Sequence, residues 1–399
     1  MIEIQVPIAT RRYSIILGRG EATENPALKS LVKSSTKVFL ITNRTIWGKY
    51  SQRVRSKGSI LASAVPLLIP DGERFKNMRW YQWLCRELVR RGADRKSLIV
   101  ALGGGVVGDL AGFVASSVLR GLPLAQIPTS LLAQIDSSIG GKTAVNLPEG
   151  KNMVGAFYQP ALVVTDPLFL KTLPPRELRA GLYEAIKYGV IEDRELFAFI
   201  ESRIEDLLQC DLKALETVIR HCAFAKAAIV GKDERESGIR KTLNFGHTLG
   251  HALEAGTSYR RFKHGEAVAW GMLMATRLAE KLSLMSPADS RRVVACIGAA
   301  GPLPRISDLA ADTIFKHMRH DKKAIAGKLQ LVLPTEIGSV KVVEGVDAKM
   351  IRGAYREIQN ESLRDDGAWS QVRNSRPIGF VEVSPVSQGE RKNSRRRSL

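Results

Sequence analysis

The chain has 399 residues, 44% hydrophobic and 25% charged, and this length predicts two to three domains with cores that need no disulfides. No apolar run approaches the roughly 18 residues of a membrane span. The four cysteines include no Cys-x-x-Cys pair. The composition therefore argues against a membrane protein, a disulfide framework and a cysteine metal site. Because the N-terminus also lacks the layout of a signal peptide, we expect a cytoplasmic protein.

The formal net charge of +20 has two interpretations. Clustered Lys and Arg bind phosphate, so such a charge also occurs in nucleic-acid-binding proteins. Part of the excess lies at the C-terminus, in Arg391, Lys392, Arg395, Arg396 and Arg397. No zinc-finger spacing or RNA-recognition signature accompanies these residues. We therefore expect no nucleic-acid partner, and a basic balance also suits an anionic substrate.

Residues 1–167 alternate short apolar runs with helical stretches, which is the pattern of a parallel βαβ sheet. Residues 1–10 alternate in the manner of a strand. Further strands are predicted at Lys37–Thr42, Ser97–Leu102, Leu124–Pro128 and Ala161–Thr165. Helices are predicted at Trp80–Arg91 and Leu110–Leu119. We expect an N-terminal α/β domain over residues 1–167.

From residue 168 the pattern changes to helical periodicity with few strand candidates. The clearest helices are predicted at Ala214–Val230, Thr248–Ala255 and Glu266–Leu282. A second, mostly α-helical domain is therefore predicted over residues 168–355. The remaining segment, residues 356–399, becomes polar and rich in Ser, Pro and Arg after about Glu361. Because such a segment buries too little apolar surface to offset its ordering entropy, we predict a basic, disordered tail.

A glycine-rich segment, Gly103–Asp109, follows one predicted strand and precedes a predicted helix. Gly103, Gly105 and Gly108 satisfy G-x-G-x-x-G in a strand–turn–helix context, which is typical of a Rossmann-like dinucleotide-binding domain. Glycines there let backbone N–H groups approach a pyrophosphate at a helix N-terminus. No acidic residue follows about 20 positions on, so the fingerprint is incomplete. An acidic candidate lies upstream in 71–76, where an Asp-Gly turn capping a helix is the alternative.

The segment 126–146 is the second polar stretch of the N-terminal half. Its functional groups are small hydroxyls, two glycines, an aspartate and a lysine. They belong to Thr129, Ser130, Asp136, Ser137, Ser138, Gly140, Gly141, Lys142 and Asn146. Such groups in an otherwise apolar stretch suit an oxyanion or phosphate site. The alternative is a polar connection between a strand and a helix.

Three of the six histidines fall within 18 residues, and this clustering indicates a metal site. His247 and His251 are four apart, so they share a face of a helix, and His264 follows. Two imidazoles and one carboxylate with open positions form a catalytic zinc arrangement. The carboxylate is Glu266, Glu254 or a distant residue, and spacing alone does not choose between them.

Other charged residues of the helical half have ordinary explanations on spacing alone. Glu184 and Lys187 lie three apart on one helical face, where a surface ion pair is the alternative to a functional role. Lys226 and Arg240 are more often solvated charges. From the residues alone, the roles of these four side chains stay open.

In their order along the chain, these segments resemble the 3-dehydroquinate synthase family of sugar phosphate cyclases over about residues 1–355. The series begins with DGERFK at 71–76, GGGVVGDLAGFVAS from 103, IPTSLLAQIDSSIGGKTAVN from 127 and KNMVGAFYQP from 151. It continues with EAIKYG from 184, LNFGHTLGH from 243, HGEAVAWGM from 264 and DKK at 321–323. Any one segment can arise by chance, but not the whole series in this order.

The resemblance implies roles for particular residues. Zinc or cobalt would be bound by Glu184, His247 and His264. NAD+ would be bound at Asp71, Glu73, Lys76, Gly104, Gly105, Val106, Asp109, Thr129, Ser130, Lys142, Lys151, Phe169, Thr172 and Leu173. Catalysis and substrate binding would use Asp136, Lys142, Asn152, Lys187, Lys226, Arg240, Asn244, His251 and Lys323. Arg120 matches an arginine that reaches the site of the neighbouring subunit, which implies a homodimer.

The resemblance also implies an activity. The family's lyase converts a phosphorylated sugar acid, 3-deoxy-D-arabino-heptulosonate 7-phosphate, into 3-dehydroquinate and phosphate in the shikimate pathway, with NAD+ regenerated in each turnover. The alternatives are another sugar phosphate cyclase, of the inosose or valiolone type, and a metal-dependent polyol dehydrogenase. The intact segment 136–142, with Lys226, Arg240 and Asn244, favours the heptulosonate phosphate as the substrate over both alternatives. Ser130 replaces a usual threonine, and Asn43 stands where an aspartate is common near the adenosine ribose.

Overall fold

The computed structural model describes residues 1–8, 11–320 and 329–362. The strands are β1 (Ile2–Val6), β2 (Tyr13–Leu17), β3 (Val38–Asn43), β4 (Val65–Ile69), β5 (Leu98–Gly103), β6 (Leu124–Pro128), β7 (Lys142–Leu147), β8 (Gly150–Phe157), β9 (Leu162–Thr165), β10 (Gln330–Glu336) and β11 (Ser339–Glu344). The first helices are α1 (Glu21–Glu24), α2 (Pro26–Ser34), α3 (Arg44–Arg55), α4 (Met78–Arg90) and α5 (Gly105–Ser117).

The remaining helices lie in the second half of the chain. They are α6 (Pro175–Ile191), α7 (Arg194–Leu208), α8 (Leu212–Lys232), α9 (His247–Gly256), α10 (His264–Lys281), α11 (Pro287–Ala299), α12 (Ala311–His320) and α13 (Ala348–Glu361). Short 3₁₀ turns lie at Glu73–Phe75, Val118–Arg120, Pro167–Thr172 and Ile239–Asn244, and one π-helical turn at Ala133–Ser137. No helix in this described part of the chain is long and apolar enough to cross a membrane.

Seven strands of the N-terminal half form one sheet in the order β1-β2-β9-β6-β5-β3-β4. Only the β1–β2 pair is antiparallel. Side chains alternate along β3: Phe39 and Ile41 join the core under α4 and α5, whereas Val38 and Leu40 join the core under α2 and α3. A parallel sheet covered on both faces is the Rossmann-like arrangement, so the predicted α/β fold is confirmed.

The strands and helices predicted from residue 37 onward lie within two residues of their observed bounds, with one exception. Helix α5 begins at Gly105, five residues before the predicted start. Val106, Val107 and Gly108 are weak helix formers, so propensity placed the start too late. Burial of Val107 and Leu110 against the sheet outweighs that propensity.

The β7–β8 hairpin follows the π-helical turn and lies across α5. Gly112 of α5 permits this approach, because a Cβ atom there would lie 2.3 Å from Cγ2 of Thr143 on β7. The backbone N–H of Asn146 donates to the Lys76 carbonyl at 2.8 Å, which ties the hairpin to the segment after β4. The alternative interpretation of 126–146, a connection between a strand and a helix, is therefore wrong, because a helical turn there joins strand β6 to strand β7.

The second half of the chain packs around α10, which is buried over most of its circumference. The predicted mostly helical character is confirmed, but the β10–β11 hairpin was missed. Leu331 and Leu333 of β10 are buried in the same core as the helices. The predicted start of the tail at residue 356 is wrong, because α13 continues to Glu361 and buries Ile358 completely. The predicted contact Lys323 and the tail from residue 363 lie outside the described residues.

Candidate active site and metal centre

Three side chains from three helices of the second half of the chain converge on one point. Glu184 lies in α6 and is 0% exposed, while His247 and His264 are the first residues of α9 and α10. The Nε2 atoms of His247 and His264 lie 3.8 and 3.5 Å from Oε1 of Glu184. One donor atom from each of the three residues lies within 4.8 Å of the others. The structure thus brings together the three residues predicted as metal ligands.

The chemistry of this cluster fits a divalent metal ion. Both oxygens of Glu184 are buried and lack a hydrogen bond among the described residues, and Oε2 forms an ion pair with Nζ of Lys187 at 2.5 Å. A buried carboxylate oxygen without a donor is rare unless a cation or water completes its environment. Two imidazole nitrogens and one carboxylate are a donor set that binds zinc.

The second ring nitrogen of each histidine is held by an oxygen that can only accept. Nδ1 of His247 donates to the Phe245 carbonyl at 3.1 Å, and Nδ1 of His264 donates to Oε2 of Glu254 at 3.3 Å. When such a ring is neutral, its proton lies on Nδ1 and its Nε2 lone pair faces Glu184. Burial, with Lys187 nearby, lowers the pKa of His247 well below its usual range, so this ring is neutral.

The two nearer carboxylates considered from the sequence do not face both histidines. Glu266 accepts from Nε and Nη2 of Arg176 at 2.6 and 2.7 Å, so its oxygens are already paired. Glu254 contacts the Nδ1 side of His264. His251 lies one turn after His247, with ring centroids 5.4 Å apart, and stacks on His264 at 6.1 Å.

A group of charged side chains, termed the cationic pocket, adjoins the metal cluster at the π-helical turn. Its cations are Lys142, Lys187, Lys226 and Arg240. Asp136 of that turn accepts from Lys226, lies 3.7 Å from Nζ of Lys187 and accepts from the Tyr188 hydroxyl at 3.0 Å. Burial raises the pKa of Asp136, but the charges of Lys226 and Lys187 outweigh it and hold that pKa well below its usual range. Burial lowers the pKa of Lys226 to about 8, although Asp136 opposes the shift.

Lys142 and Asn244 meet at a carboxylate that sequence reasoning missed. Glu236 lies before Ile239–Asn244 with a left-handed φ of 61°. Its two oxygens accept from Nζ of Lys142 and from Nδ2 of Asn244 at 2.9 Å. The signal was present, since Glu236 lies inside the matching run that holds Lys226 and Arg240, but it received no role. Its carboxylate therefore joins Lys142 to Asn244.

Arg240 is 1% exposed and lies beside the glycine pair that precedes β7. Its Nη2 donates to the Gly140 carbonyl at 3.1 Å, and its Nε has no partner among the described residues. Gly140 has a φ of 94°, and a Cβ atom there would lie 2.7 Å from Nη2 of Arg240. Arg240 therefore brings a buried charge with an unused donor to the pocket.

The N-terminus of α5 forms a cradle at the carboxyl end of β5. Cβ atoms added to Gly104 and Gly105 would lie 3.3 Å from Oγ of Ser130 and 3.0 Å from Oγ of Ser137. The backbone N–H of Thr129 donates to the Gly103 carbonyl at 3.0 Å, so β6 ends beside the glycines. Val106 follows in the first turn of α5. Because the two glycines have no side chains, the backbone at the helix N-terminus is open to a bound pyrophosphate.

The acidic segment 71–76 also lies at this edge of the sheet. Nζ of Lys76 donates to Asp109 at 2.8 Å and to Asn152 of β8 at 2.6 Å, and it lies 3.4 Å from Glu73. Asn152 was predicted to hold substrate, whereas here it accepts from Lys76. On the opposite side of the segment, Asp71 accepts from Nδ2 of Asn43 at 3.0 Å. Of the predicted cofactor contacts, Glu73, Lys76 and Asp109 therefore lie together, whereas Asp71 faces Asn43.

The remaining predicted residues divide between the site and its surroundings. Phe169 and Thr172 lie in the turn Pro167–Thr172, where the Tyr50 hydroxyl contacts them, and Leu173 follows. Nζ of Lys151 donates to Oε1 of Glu254 at 2.8 Å. Arg120 is exposed and follows the far end of α5, a helix about 20 Å long. The structure does not bring Arg120 into the site of its own chain.

Comparison with known families decides the relationship of this chain. Residues 66–180 match the family described as 3-dehydroquinate synthase N-terminal, and residues 181–324 match 3-dehydroquinate synthase C-terminal. The two matches adjoin and together cover more than half of the chain. The chain belongs to the 3-dehydroquinate synthase-like sugar phosphate cyclase family. It is therefore an enzyme of that family, as the ordered motifs predicted.

Solved structures of family members superpose on most of the chain. A 2-deoxy-scyllo-inosose synthase, complexed with carbaglucose-6-phosphate, NAD+ and Co2+, is 28% identical with a TM-score of 0.78, over 89% of this chain and 100% of that one. The 2-epi-5-epi-valiolone synthase from Streptomyces hygroscopicus subsp. jinggangensis 5008, with NAD+ and Zn2+ bound, is 27% identical with a TM-score of 0.79, over 88% and 97%.

A more distant likeness extends to dehydrogenases. A probable glycerol dehydrogenase from Sinorhizobium meliloti 1021 is 15% identical, with a TM-score of 0.62 over 88% of this chain and 97% of that one. At this identity the likeness concerns the fold alone. The cyclase family therefore shares its two-part architecture with these enzymes.

Proposed function

We propose that this protein is a 3-dehydroquinate synthase, which converts 3-deoxy-D-arabino-heptulosonate 7-phosphate into 3-dehydroquinate and phosphate. The observation that carries the proposal is the cluster of Glu184, His247 and His264 beside the cationic pocket around Asp136. A site for a divalent ion, a cradle for a dinucleotide and a pocket for anions would then serve one substrate.

Glu184, His247 and His264 would hold the metal, and the related synthases with Co2+ or Zn2+ support a choice between these ions. A bound ion of this kind acidifies a substrate hydroxyl. Lys187, which pairs with Glu184 on one side and Asp136 on the other, would keep the ligand carboxylate ionised and oriented. Its burial beside two carboxylates suits this positioning role.

The cradle of Gly104 and Gly105 would hold NAD+, which both related synthases contain. Bound NAD+ supplies a reversible hydride acceptor. The helix N-terminus of α5 would face the pyrophosphate, and the segment 71–76 would lie along the ribose. Asn43 stands where an aspartate is common near the ribose, and its Nδ2 donates to Asp71. Asp71 would therefore be the carboxylate available to the ribose.

The heptulosonate carries a carboxylate in addition to its phosphate, and the charges of the pocket support this substrate. Four cations lie in this group, and three of them are paired with the carboxylates Asp136 and Glu236. The cations are Lys142, Lys187, Lys226 and Arg240. Binding of an anion in a site with little water is strengthened by such preorganised cations. Asn244 and His251 would complete the substrate contacts.

A specific observation favours a second candidate, because the two related synthases described above make an inosose and a valiolone. Those products differ from dehydroquinate in lacking a carboxylate. In this chain the segment 136–142 is intact and Arg240 keeps an unpaired donor in the pocket. These features support a substrate that bears a carboxylate over sugar phosphates that lack one.

Product identification tests the proposal. The full chain, with catalytic NAD+ and zinc, is incubated with the heptulosonate phosphate, with glucose 6-phosphate or with a heptulose 7-phosphate that lacks the carboxylate. We expect phosphate release and 3-dehydroquinate from the first substrate alone, with no net NADH. Release only from a sugar lacking the carboxylate would make the protein another cyclase. Accumulation of NADH equal to substrate consumed would make it a dehydrogenase.

A further inference from the structure

Glu254 is a buried carboxylate with a partner on each oxygen. It lies in the last turn of α9 and is 2% exposed. Its Oε2 accepts from Nδ1 of His264 at 3.3 Å, and its Oε1 accepts from Nζ of Lys151 at 2.8 Å. Nζ of Lys151 also lies 4.7 Å from the ring centroid of Tyr259. One side chain thus joins a predicted metal ligand to the β7–β8 hairpin.

The two histidines of the metal cluster are held in different ways. Nδ1 of His247 donates to a backbone carbonyl, that of Phe245, two residues earlier in the chain. Such an acceptor is fixed by the path of the main chain. His264 donates to a side chain, which has rotamers of its own. An acceptor of that kind orients the ring only when it is itself held, and Lys151 holds Glu254.

We infer that Glu254 is the positioning residue of the metal centre: it fixes the ring orientation and the tautomer of His264, and Lys151 locks it in place. The inference rests on the proposed function, in which His264 binds the metal through Nε2. A carboxylate only accepts, so the proton of the neutral ring lies on Nδ1 and the lone pair on Nε2 faces Glu184.

Glu254 also belongs to a second group of possible metal donors, with His251 and His264. Both oxygens of Glu254 are already engaged by hydrogen-bond donors. A second ion at this group would have to displace the proton on Nδ1 of His264 or take its Nε2 from the first site. The contacts therefore favour support of one metal ion over binding of two.

The Glu254→Gln substitution keeps the size of the side chain and replaces one accepting oxygen with a donating amide group. Lys151 is a donor and would keep the amide oxygen of the glutamine, so the amide NH2 group would face Nδ1 of His264. That group donates, which places the ring proton on Nε2, where a metal ligand needs a lone pair. We expect zinc affinity to fall about 10- to 100-fold with the fold retained.

The measurement is zinc binding by the full chain without NAD+ or substrate, by competition with a chelator of known affinity. Glu266→Gln is the control for loss of a buried charge at the start of the same helix, since Glu266 is similarly buried and accepts from Arg176 and from the Lys263 N–H instead of from a ring nitrogen. Its zinc affinity is expected to stay within about twofold of the unsubstituted protein. With Co2+ as the probe, the visible absorption bands of Glu254→Gln should shift, and those of the control should not.

Each outcome bears on the inference. Unchanged zinc affinity in Glu254→Gln overturns it, as does binding of two zinc ions of which this variant loses one. If Glu254→Gln does not fold, Lys151→Met tests the lock instead, and unchanged zinc affinity in that variant overturns the inference. Absence of zinc binding by the unsubstituted protein overturns the proposed metal site itself, which is a distinct failure.

Discussion

At the scale of single residues, the site is built from charges that are removed from water and paired with one another. Asp136 meets Lys187 and Lys226, and Glu184 meets Lys187. Loss of one partner would leave a buried charge uncompensated, which costs several kcal/mol. The pKa of Lys226 is lowered to about 8, because burial and Arg240 both disfavour its charged form.

The low pKa of Lys226 predicts a pH dependence of substrate capture. In the free protein Lys226 loses its charge as the pH rises through about 8. We expect kcat/KM for the anionic substrate to fall above that pH, because kcat/KM reports the free enzyme. A bound anion favours the charged form, so kcat should fall only at higher pH. The test is a pH profile of both parameters, and identical profiles would contradict the assignment of Lys226 to the substrate.

The lowered pKa of Lys226 also predicts how the stability of the protein changes with pH. The pKa of Lys226 is about 8 when folded against 10.5 for an ordinary lysine, so between these values the unfolded chain binds more protons. The contribution of Lys226 to stability therefore rises as the pH increases from about 8 to 10.5. Lys226→Gln should lack this rise when its free energy of unfolding is compared with that of the unsubstituted protein.

At the scale of elements, the last helix belongs to the folded enzyme. Ile358 of α13 is 0% exposed, and Nε2 of Gln359 donates to the Leu309 carbonyl at 2.9 Å. Ser362 accepts from the Ile306 N–H at 3.2 Å. The polar composition from residue 356 suggested a tail because it hides the few apolar positions at helical spacing. Packing of those positions sets the boundary about six residues later.

Two truncations test this boundary. A chain ending at Ser362 keeps every contact of α13 within the described part of the chain, so we expect unchanged activity and melting temperature. A chain ending at Tyr355 loses Ile358 and Gln359, which we expect to cost about 3 kcal/mol or more of stability, since burial of one Ile alone contributes 1.5–3 kcal/mol. Thermal unfolding and activity of the pair are the measurements. Lost activity in the longer chain would show that residues after 362 take part in the enzyme.

At the scale of the whole molecule, Arg120 is the predicted functional residue that is remote from the site of its own chain. It follows α5 at the end opposite to Gly105 and has a left-handed φ of 69°. This placement supports the proposal that Arg120 serves the site of a second subunit. The homodimer remains a proposal, and mixed subunits provide its test.

Mixing two inactive variants, Arg120→Ala and Glu184→Gln, should restore activity. In a mixed dimer the Arg120→Ala subunit keeps its metal ligands and receives Arg120 from its partner. After subunit exchange at equal amounts, about one quarter of the sites should be intact, since half of the dimers are mixed and each has one complete site. A monomeric protein, or no recovery after verified exchange, would contradict a shared site.

The candidate site was predictable from the sequence to different degrees in its parts. The histidine cluster and the glycine-rich turn are local patterns, so their spacing alone indicated a metal and a dinucleotide. Glu184 lies about 60 residues before His247, and only the resemblance to a family chose it over Glu254 and Glu266. Glu236 and the supporting role of Glu254 were missed, because an isolated acidic residue in a sequence gives no sign of its partner.

By itself, the sequence determined the parallel α/β character of the N-terminal half, the mostly helical character of the second half and the family. These follow from periodicity and from motifs that are read locally. The tertiary structure decided which carboxylate faces which nitrogen, where α5 begins and where the last helix ends. The physical reason is that ligand geometry, burial and ion pairing join residues distant in the chain, whose separation in space depends on how α6, α9 and α10 pack.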